Sequence, residues 1–386
     1  MREFLVGDRR FSPRRACVIA EIGTGHGGDP ELARDLIAAA AEAGADCAKF
    51  QCVIADEILH PNTGTVPLPG GSIRLYDRFK ALELDAAFYA AVKEETERRG
   101  LLFLCTPFGL GSARLLRDIG VEVMKIASPE LNHLPLVAEL ASYGLPTILS
   151  SGVSTLADID RSVALFRSAA PPSPSGGEAR VGEACGLALL HCVTSYPAPE
   201  TDYNLRVLGS LAAVFGLAVG VSDHSLDPVL VPALAVASGA SIVEKHICLS
   251  RDRDGLDDPI ALPPLGFAAM VGAVREAQAR GPAETIAVLS AEHGAARVEA
   301  VLGDGVKRLA PSEAANYTRT NRSIHALRDI AKGELFDPGN VALLRTEKVL
   351  KPGLDPALLG VVLGRRAMRD IPSGEGVEWE DVGAGG

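Results

Sequence analysis

Short apolar runs that alternate eight times with amphipathic segments constrain this chain more than any other feature. The runs are Cys17–Gly23, Cys47–Val53, Leu101–Pro107, Val123–Ser128, Pro146–Gly152, Leu187–Val193, Leu217–Asp223 and Ser241–Leu249. Each is too short and too rich in β-branched residues to read as a helix. Between them lie helical patterns such as Pro30–Ala43, Asp85–Arg99, Thr155–Ala169 and Asp227–Ser238. Eight strand–helix units over about 250 residues have the count and length of a (β/α)8 TIM barrel, an α/β fold. A doubly wound open sheet is the competitor, and it would want an acidic residue ending the second strand behind a glycine-rich turn. Gly23-Thr-Gly-His-Gly-Gly supplies glycines, but Lys49 and Gln51 stand where the acid belongs. The pattern predicts the barrel.

A chain of 386 residues has room for more than one domain. The barrel is assigned to residues 1–285, a less regular linker to 286–320 and a small β-rich domain to 321–386. In the last, Arg-Asp-Ile-x-x-Gly-Glu recurs at 328–334 and 369–375, which suggests two similar half-motifs. A long loop, His60–Lys80, follows the second strand on the side where barrel active sites form and is a candidate lid. Pro171–Arg180 lies on the opposite side and reads as a flexible insert. The formal net charge of −11 and the lack of a basic run argue against nucleic acid. No apolar stretch approaches membrane-span length, and the first ten residues carry no signal-like apolar core. Six of the seven cysteines lie in or beside apolar strands with no Cys-x-x-Cys pair, a pattern that fits a reducing cytoplasm.

Nearly every expected strand ends in chemistry. Glu21 ends the first, and Lys49 and Gln51 share a face of the second. Thr106 follows the third, Lys125 and Ser128 the fourth with Glu130 just beyond, and Ser150 the fifth. His191 and Thr194-Ser-Tyr-Pro follow the sixth, Ser222, Asp223 and His224 end the seventh, and Glu244 and His246 share a face of the eighth. Two strand-end lysines among hydroxyls point to a bound phosphate or carboxylate. Two histidines at one rim point to an open divalent site acting as a Lewis acid on a second substrate, with Mn, Co, Fe and Zn all admissible.

Several of these segments together resemble the sialic acid synthase (N-acetylneuraminate synthase) family. They are Ile19-Ala-Glu-Ile-Gly, Lys49-Phe-Gln, Cys105-Thr-Pro-Phe, Lys125-Ile-Ala-Ser-Pro-Glu, Ile148-Leu-Ser-Ser-Gly, Leu190-His-Cys-Val-Thr-Ser-Tyr-Pro, Val221-Ser-Asp-His and Glu244-Lys-His. The tail resembles the antifreeze-protein-like SAF domain that follows the barrel in that family. The resemblance implies a cytoplasmic enzyme that condenses phosphoenolpyruvate with an N-acylated hexosamine-type aldehyde to a nine-carbon 2-keto sugar acid and phosphate. It implies Mn²⁺, with Mg²⁺ or Co²⁺ as substitutes, on His224 and His246. Lys49, Thr106, Lys125, Ser128, Ser150 and Ser222 would hold phosphoenolpyruvate. Gln51, Glu130, Tyr196 and Asp257 would meet the sugar, Thr194 would bind substrate at the mouth, and Glu21 or Glu130 would move protons. It also implies a domain-swapped homodimer.

The chain departs from the family pattern at its mouth. Gly25-His26-Gly27-Gly28 replaces Asn-His-Asn-Gly, Thr194 stands where asparagine is common, and Lys351 precedes Pro352-Gly353 in place of a sugar-contacting arginine. The sugar could thus be N-acetylmannosamine, a diacetamido 6-deoxy hexose on the way to legionaminic or pseudaminic acid, or another. A 3-deoxy-ulosonate phosphate synthase would want a second basic cluster for a sugar phosphate. A non-catalytic carbohydrate-binding relative would make no use of Lys49, Lys125, His224 and His246 together.

Overall fold

The computed structural model describes residues 3–68, 71–169, 186–347 and 349–385. All eight apolar runs form strands: β1 Cys17–Gly23, β2 Cys47–Cys52, β3 Leu102–Pro107, β4 Met124–Ile126, β5 Thr147–Ser150, β6 Leu187–Cys192, β7 Ala218–Asp223 and β8 Ile242–His246. Each pairs in parallel with its neighbours in sequence, and β8 pairs with β1, so the sheet closes into a barrel. The strands are buried on both faces, which is why they read as continuous apolar runs rather than alternating ones.

The helices between them pack outside. The first shows why the sequence turns helical where it does: Asp29 caps Pro30–Glu42 by accepting from Glu31 N and Leu32 N, and proline sits at the first helical position. Its buried face of Ala33, Leu36, Ile37 and Ala40 joins Val18, Ala20 and Ile22 from the outer face of β1. The inner column, with Cys17, Ile19, Cys47, Leu104, Ile148 and Ile242, fills the barrel. An N-terminal hairpin, Phe4–Val6 with Arg9–Phe11, buries Phe4, Val6 and Phe11 against that column and plugs the end away from the polar rim.

Two sequence expectations change in detail. The His60–Lys80 segment is no bare loop, since it carries a hairpin, Thr65–Leu68 with Gly71–Arg74, and a helix, Leu75–Lys80. The first half of the 286–320 segment is helical, in Pro282–His293 and Ala295–Leu302. The proposed insert at Pro171–Arg180 lies outside the described residues.

The tail is a small β-rich unit: β9 Arg322–Ala326 pairs with β10 Val341–Arg345, and β11 Arg365–Ala367 with β12 Val382–Gly385. The repeated frame has a structural meaning, because Ile330 and Ile371 bridge one another across the unit and both are buried in its core. Gly333 and Gly374 then turn with φ of +86° and +88°, a conformation that favours glycine. Among the described residues no helix is long and apolar enough to cross a membrane.

Candidate active site at the C-terminal rim of the barrel

The period of two in a strand sends one column of side chains inward, and near the rim that column turns polar. Two residues beyond Ile19, Cys47, Val123, Ile148 and Ile242 stand Glu21, Lys49, Lys125, Ser150 and Glu244. Lys49 Nζ lies 2.9 Å from Glu244 and 3.2 Å from Glu21. Lys125 Nζ donates to Ser150 Oγ at 2.6 Å and stands 3.9 Å from Glu244. Ser222 Oγ donates to Glu244 and Gln51 Nε2 to Glu21, each at 2.8 Å. Ser128 Oγ accepts from Gly152 N at 3.0 Å beside them, and Thr106 closes β3 in the same buried layer. Seven strands and the turn after β4 thus contribute to one polar box.

Burial sets the protonation of this box. It pushes the Glu21 carboxyl up to about 7, with Lys49 opposing and Glu244 adding to the rise. It pulls the Lys125 ammonium down to about 8, since Glu244 only partly offsets the lost hydration. Burial acts on Lys49 in the same sense, but Glu21 and Glu244 outweigh it and hold that ammonium above the usual lysine range. Glu244 is held far below the carboxylate range because Lys125 and Lys49 overcome its own burial. The box therefore keeps one fixed cation and one fixed anion, plus two groups that change charge near neutrality.

His224 and His246 stand next to it, with ring centroids 5.6 Å apart and both side chains buried. His224 Nδ1 donates to Val193 O at 2.9 Å, which leaves Nε2 as its free nitrogen, and His224 N donates to Tyr203 OH at 2.6 Å. His246 Nδ1 lies 3.9 Å from Asp257 Oδ2, and burial lowers that ring to about 4, so it is neutral at physiological pH. Burial opposes charging of His224 as well, but the adjacent Cys192 thiol and Val193 carbonyl hold it at about 8; a bound metal would displace that proton. Among the described residues no group of three or more His, Cys, Asp or Glu is gathered to hold an ion. Two imidazole nitrogens therefore make the donor set. It fits a weakly held borderline divalent ion with positions left for water or substrate oxygens. Asp223 plays no part in it: Lys245 Nζ donates to Asp223 at 2.5 Å and to Ser225 O at 2.6 Å, a buried network bracketing His224.

Above the box opens a cavity of about 580 Å³ lined by Gln51, Thr194, Tyr196 and Asp257.

The NeuB family pattern matches residues 36–283 and the SAF domain pattern residues 321–383. The chain belongs to the NeuB family. This NeuB-family chain is 33% identical to the spore coat polysaccharide biosynthesis protein SpsE of Bacillus subtilis, over 95% of the chain and 93% of the relative. It is 31% identical to the N,N'-diacetyllegionaminic acid synthase of Legionella pneumophila, over 97% of each. It superposes on the crystal structure of SpsE with a TM-score of 0.79 at 30% identity, covering 98% of this chain and 99% of the other.

Two expected site residues are held in other contacts in this NeuB-family chain. Glu130 is fully buried and bound: its Oε1 accepts from Arg322 Nε and Nη2 at 3.1 and 3.0 Å and from Arg345 Nε and Nη2 at 2.8 and 2.5 Å. A carboxylate held by two guanidiniums is a domain anchor rather than a free proton carrier. Lys351 is 63% exposed and pairs with Glu378 at 2.6 Å, away from the cavity lining. The tail's cation at the mouth is Arg345, which lines the cavity of the barrel in its own chain with its guanidinium 5.3 Å from the Phe108 ring centroid. Its place depends on how β10 docks, including the bridge of Arg345 to Leu59, and no local motif announces that. Ser312, Asn316 and Thr320 from the linker also line the cavity and were not expected there. At Gly25–Gly28 the loss of side chains leaves room: a second cavity of about 420 Å³ shares Thr24 with the first, and a Cβ on Gly27 would meet nothing within 4 Å.

Proposed function

We propose that this chain joins C3 of phosphoenolpyruvate to the aldehyde carbon of an N-acylated hexosamine-type sugar, giving a nine-carbon 2-keto sugar acid and phosphate. The observation that carries this reading is the buried bridge Lys49–Glu244–Lys125 with Ser150 and Ser222 on it, directly beside a histidine pair whose His246 shares β8 with Glu244. Two ammonium groups and fixed hydroxyls in a dry box suit a small ligand with both phosphate and carboxylate, and they stabilise its charge without reorganising.

Lys49 and Lys125 hold the anionic groups, and Thr106, Ser128, Ser150 and Ser222 complete the shell. Gln51, Thr194, Tyr196, Asp257 and Arg345 line the space for the sugar. His224 and His246 would hold Mn²⁺ or a similar ion, which supplies Lewis-acid polarisation of the aldehyde when bound. After the carbon–carbon bond forms, water adds at C2 and the tetrahedral carbon expels phosphate by C–O cleavage. Glu21, poised near 7 beside Lys49, is the carboxyl placed to take the proton of that water. The Legionella relative's name favours a diacylamino acceptor, and the open Gly25–Gly28 mouth has room for one. Two copies exchanging tails would make the Arg345 contact in trans, as the family resemblance implies, and sedimentation would reveal the pairing.

The test is mass analysis of the product with phosphoenolpyruvate, Mn²⁺ and a diacetamido hexose. A nine-carbon keto acid is expected, and unchanged sugar would refute the reading.

A further inference from the structure

The segment between the two domains does more than connect them. Glu313 on it is fully buried and makes no close ion pair among the described residues, although the nearby buried Lys307 feels its charge; its carboxylate accepts Val153 N and Thr194 N at 2.9 and 2.8 Å on one oxygen and Ala310 N at 3.2 Å on the other. Burying a carboxylate is costly, and three charge-assisted backbone bonds are what make it tolerable. Those bonds tie the segment to the ends of β5 and β6. Asn316 Nδ2 donates to Thr194 O at 3.0 Å, Asp202 accepts Ser312 N at 3.0 Å, and Lys307 Nζ donates to Ser151 O at 3.0 Å.

The tie falls on a strained peptide. Val153 has φ of +42°, a region that β-branched residues rarely enter. Its N–H goes to Glu313 and its C=O accepts Asn321 Nδ2 at 3.1 Å, so the segment and the first residue of the tail grip both sides of the turn that follows Ser150 and Gly152. Directly beside Glu313, Ser312 lines the main cavity, as does Thr194. Ser312 Oγ and Thr194 Oγ1 are both buried and have no hydrogen-bond partner among the described residues. Buried hydroxyls in native proteins are normally satisfied, and two orphans on one cavity wall mark where a ligand's polar group belongs.

We propose that Ser312 is a specificity-determining residue that hydrogen-bonds a polar substituent of the sugar together with Thr194, and that Glu313 is the positioning residue that holds both in place. A hydroxyl both donates and accepts, so the pair matches an acylamino N–H and C=O or a ring hydroxyl. This assignment rests on the functional reading above and adds the inter-domain segment to the sugar site.

The experiment is steady-state phosphate release by the full chain with Mn²⁺, titrating phosphoenolpyruvate and sugar separately for wild type, Ser312→Ala, Ser312→Val and Glu313→Gln, with N-acetylmannosamine, mannose and a diacetamido hexose as sugars. Ser312→Ala is expected to raise the sugar KM about five-fold and Ser312→Val by more than about ten-fold, with the phosphoenolpyruvate KM within about two-fold. An effect on acylated sugars alone assigns the acylamino group; an equal effect on mannose assigns a hydroxyl. Glu313→Gln is expected to raise the sugar KM as well, whereas a fall in kcat with both KM values unchanged would mean a lost folded fraction and would overturn the positioning role. A wild-type sugar KM in Ser312→Val overturns the assignment while leaving the synthase reading intact. A wild-type chain that turns over none of the sugars overturns the synthase reading and this one with it.

Discussion

Lys125 donates to Ser150 across 2.6 Å, while its nearest carboxylate, Glu244, stands 3.9 Å away and is already engaged by Lys49. That imbalance is why burial wins and holds the Lys125 ammonium near 8. A phosphate or carboxylate arriving there favours the charged form, so its binding must raise the pKa. With a free-state value of about 8, the amine is increasingly neutral above that pH and has to take up a proton to bind. Glu21 shifts in the same sense from about 7. Titration calorimetry of phosphoenolpyruvate in buffers of different ionisation enthalpy should show net proton uptake between pH 7 and 8.5. Affinity should fall as pH rises through about 8. Proton release would contradict this charge assignment.

His224 and His246 sit at the rim, so removing either ring should spare the fold and remove the metal. His224→Ala and His246→Ala should each lower turnover by at least about 100-fold with Tm nearly unchanged. A chelator should do the same to wild type, and added Mn²⁺ should restore it. Phosphate release and thermal melting check both points.

Lys245 and Asp223 form a buried pair whose side chains are 1% and 0% exposed. Lys245→Met strands the carboxylate and should cost about 3–5 kcal/mol in urea unfolding. Lys245→Met with Asp223→Leu should recover much of that loss, because no uncompensated charge remains.

The two tail cations should behave differently. Lys351→Ala removes an exposed surface pair and should leave both KM values and Tm unchanged. Arg345→Ala takes away a cation on the cavity wall and one of the two partners of Glu130, and should raise the sugar KM about ten-fold or more. Kinetics with each substrate varied separately distinguishes them.

Most of the barrel was legible because its strands are buried on both faces and so appear as isolated apolar runs. The polar box was legible for a related reason: a lysine or glutamate inside such a run has few structural excuses, and period two then fixes which of them face inward. Glu130 misled because its motif places it after a strand end, while its partners Arg322 and Arg345 lie about 200 residues away in sequence. Lys351 misled because its Pro-Gly context is local, whereas reach to the mouth depends on domain docking. Ser312 and Glu313 sit in a segment without apolar periodicity, and only their contacts with Val153 and Thr194 reveal them.

The central claim is a condensation that needs both substrates, and sugar-dependent phosphate release from phosphoenolpyruvate with Mn²⁺ tests it most directly. The assay compares N-acetylmannosamine and diacetamido 6-deoxy hexoses with a no-sugar control. Release is expected with at least one acylamino sugar and none without sugar. Release that ignores the sugar, or no release with any acylamino sugar although phosphoenolpyruvate binds, would contradict it.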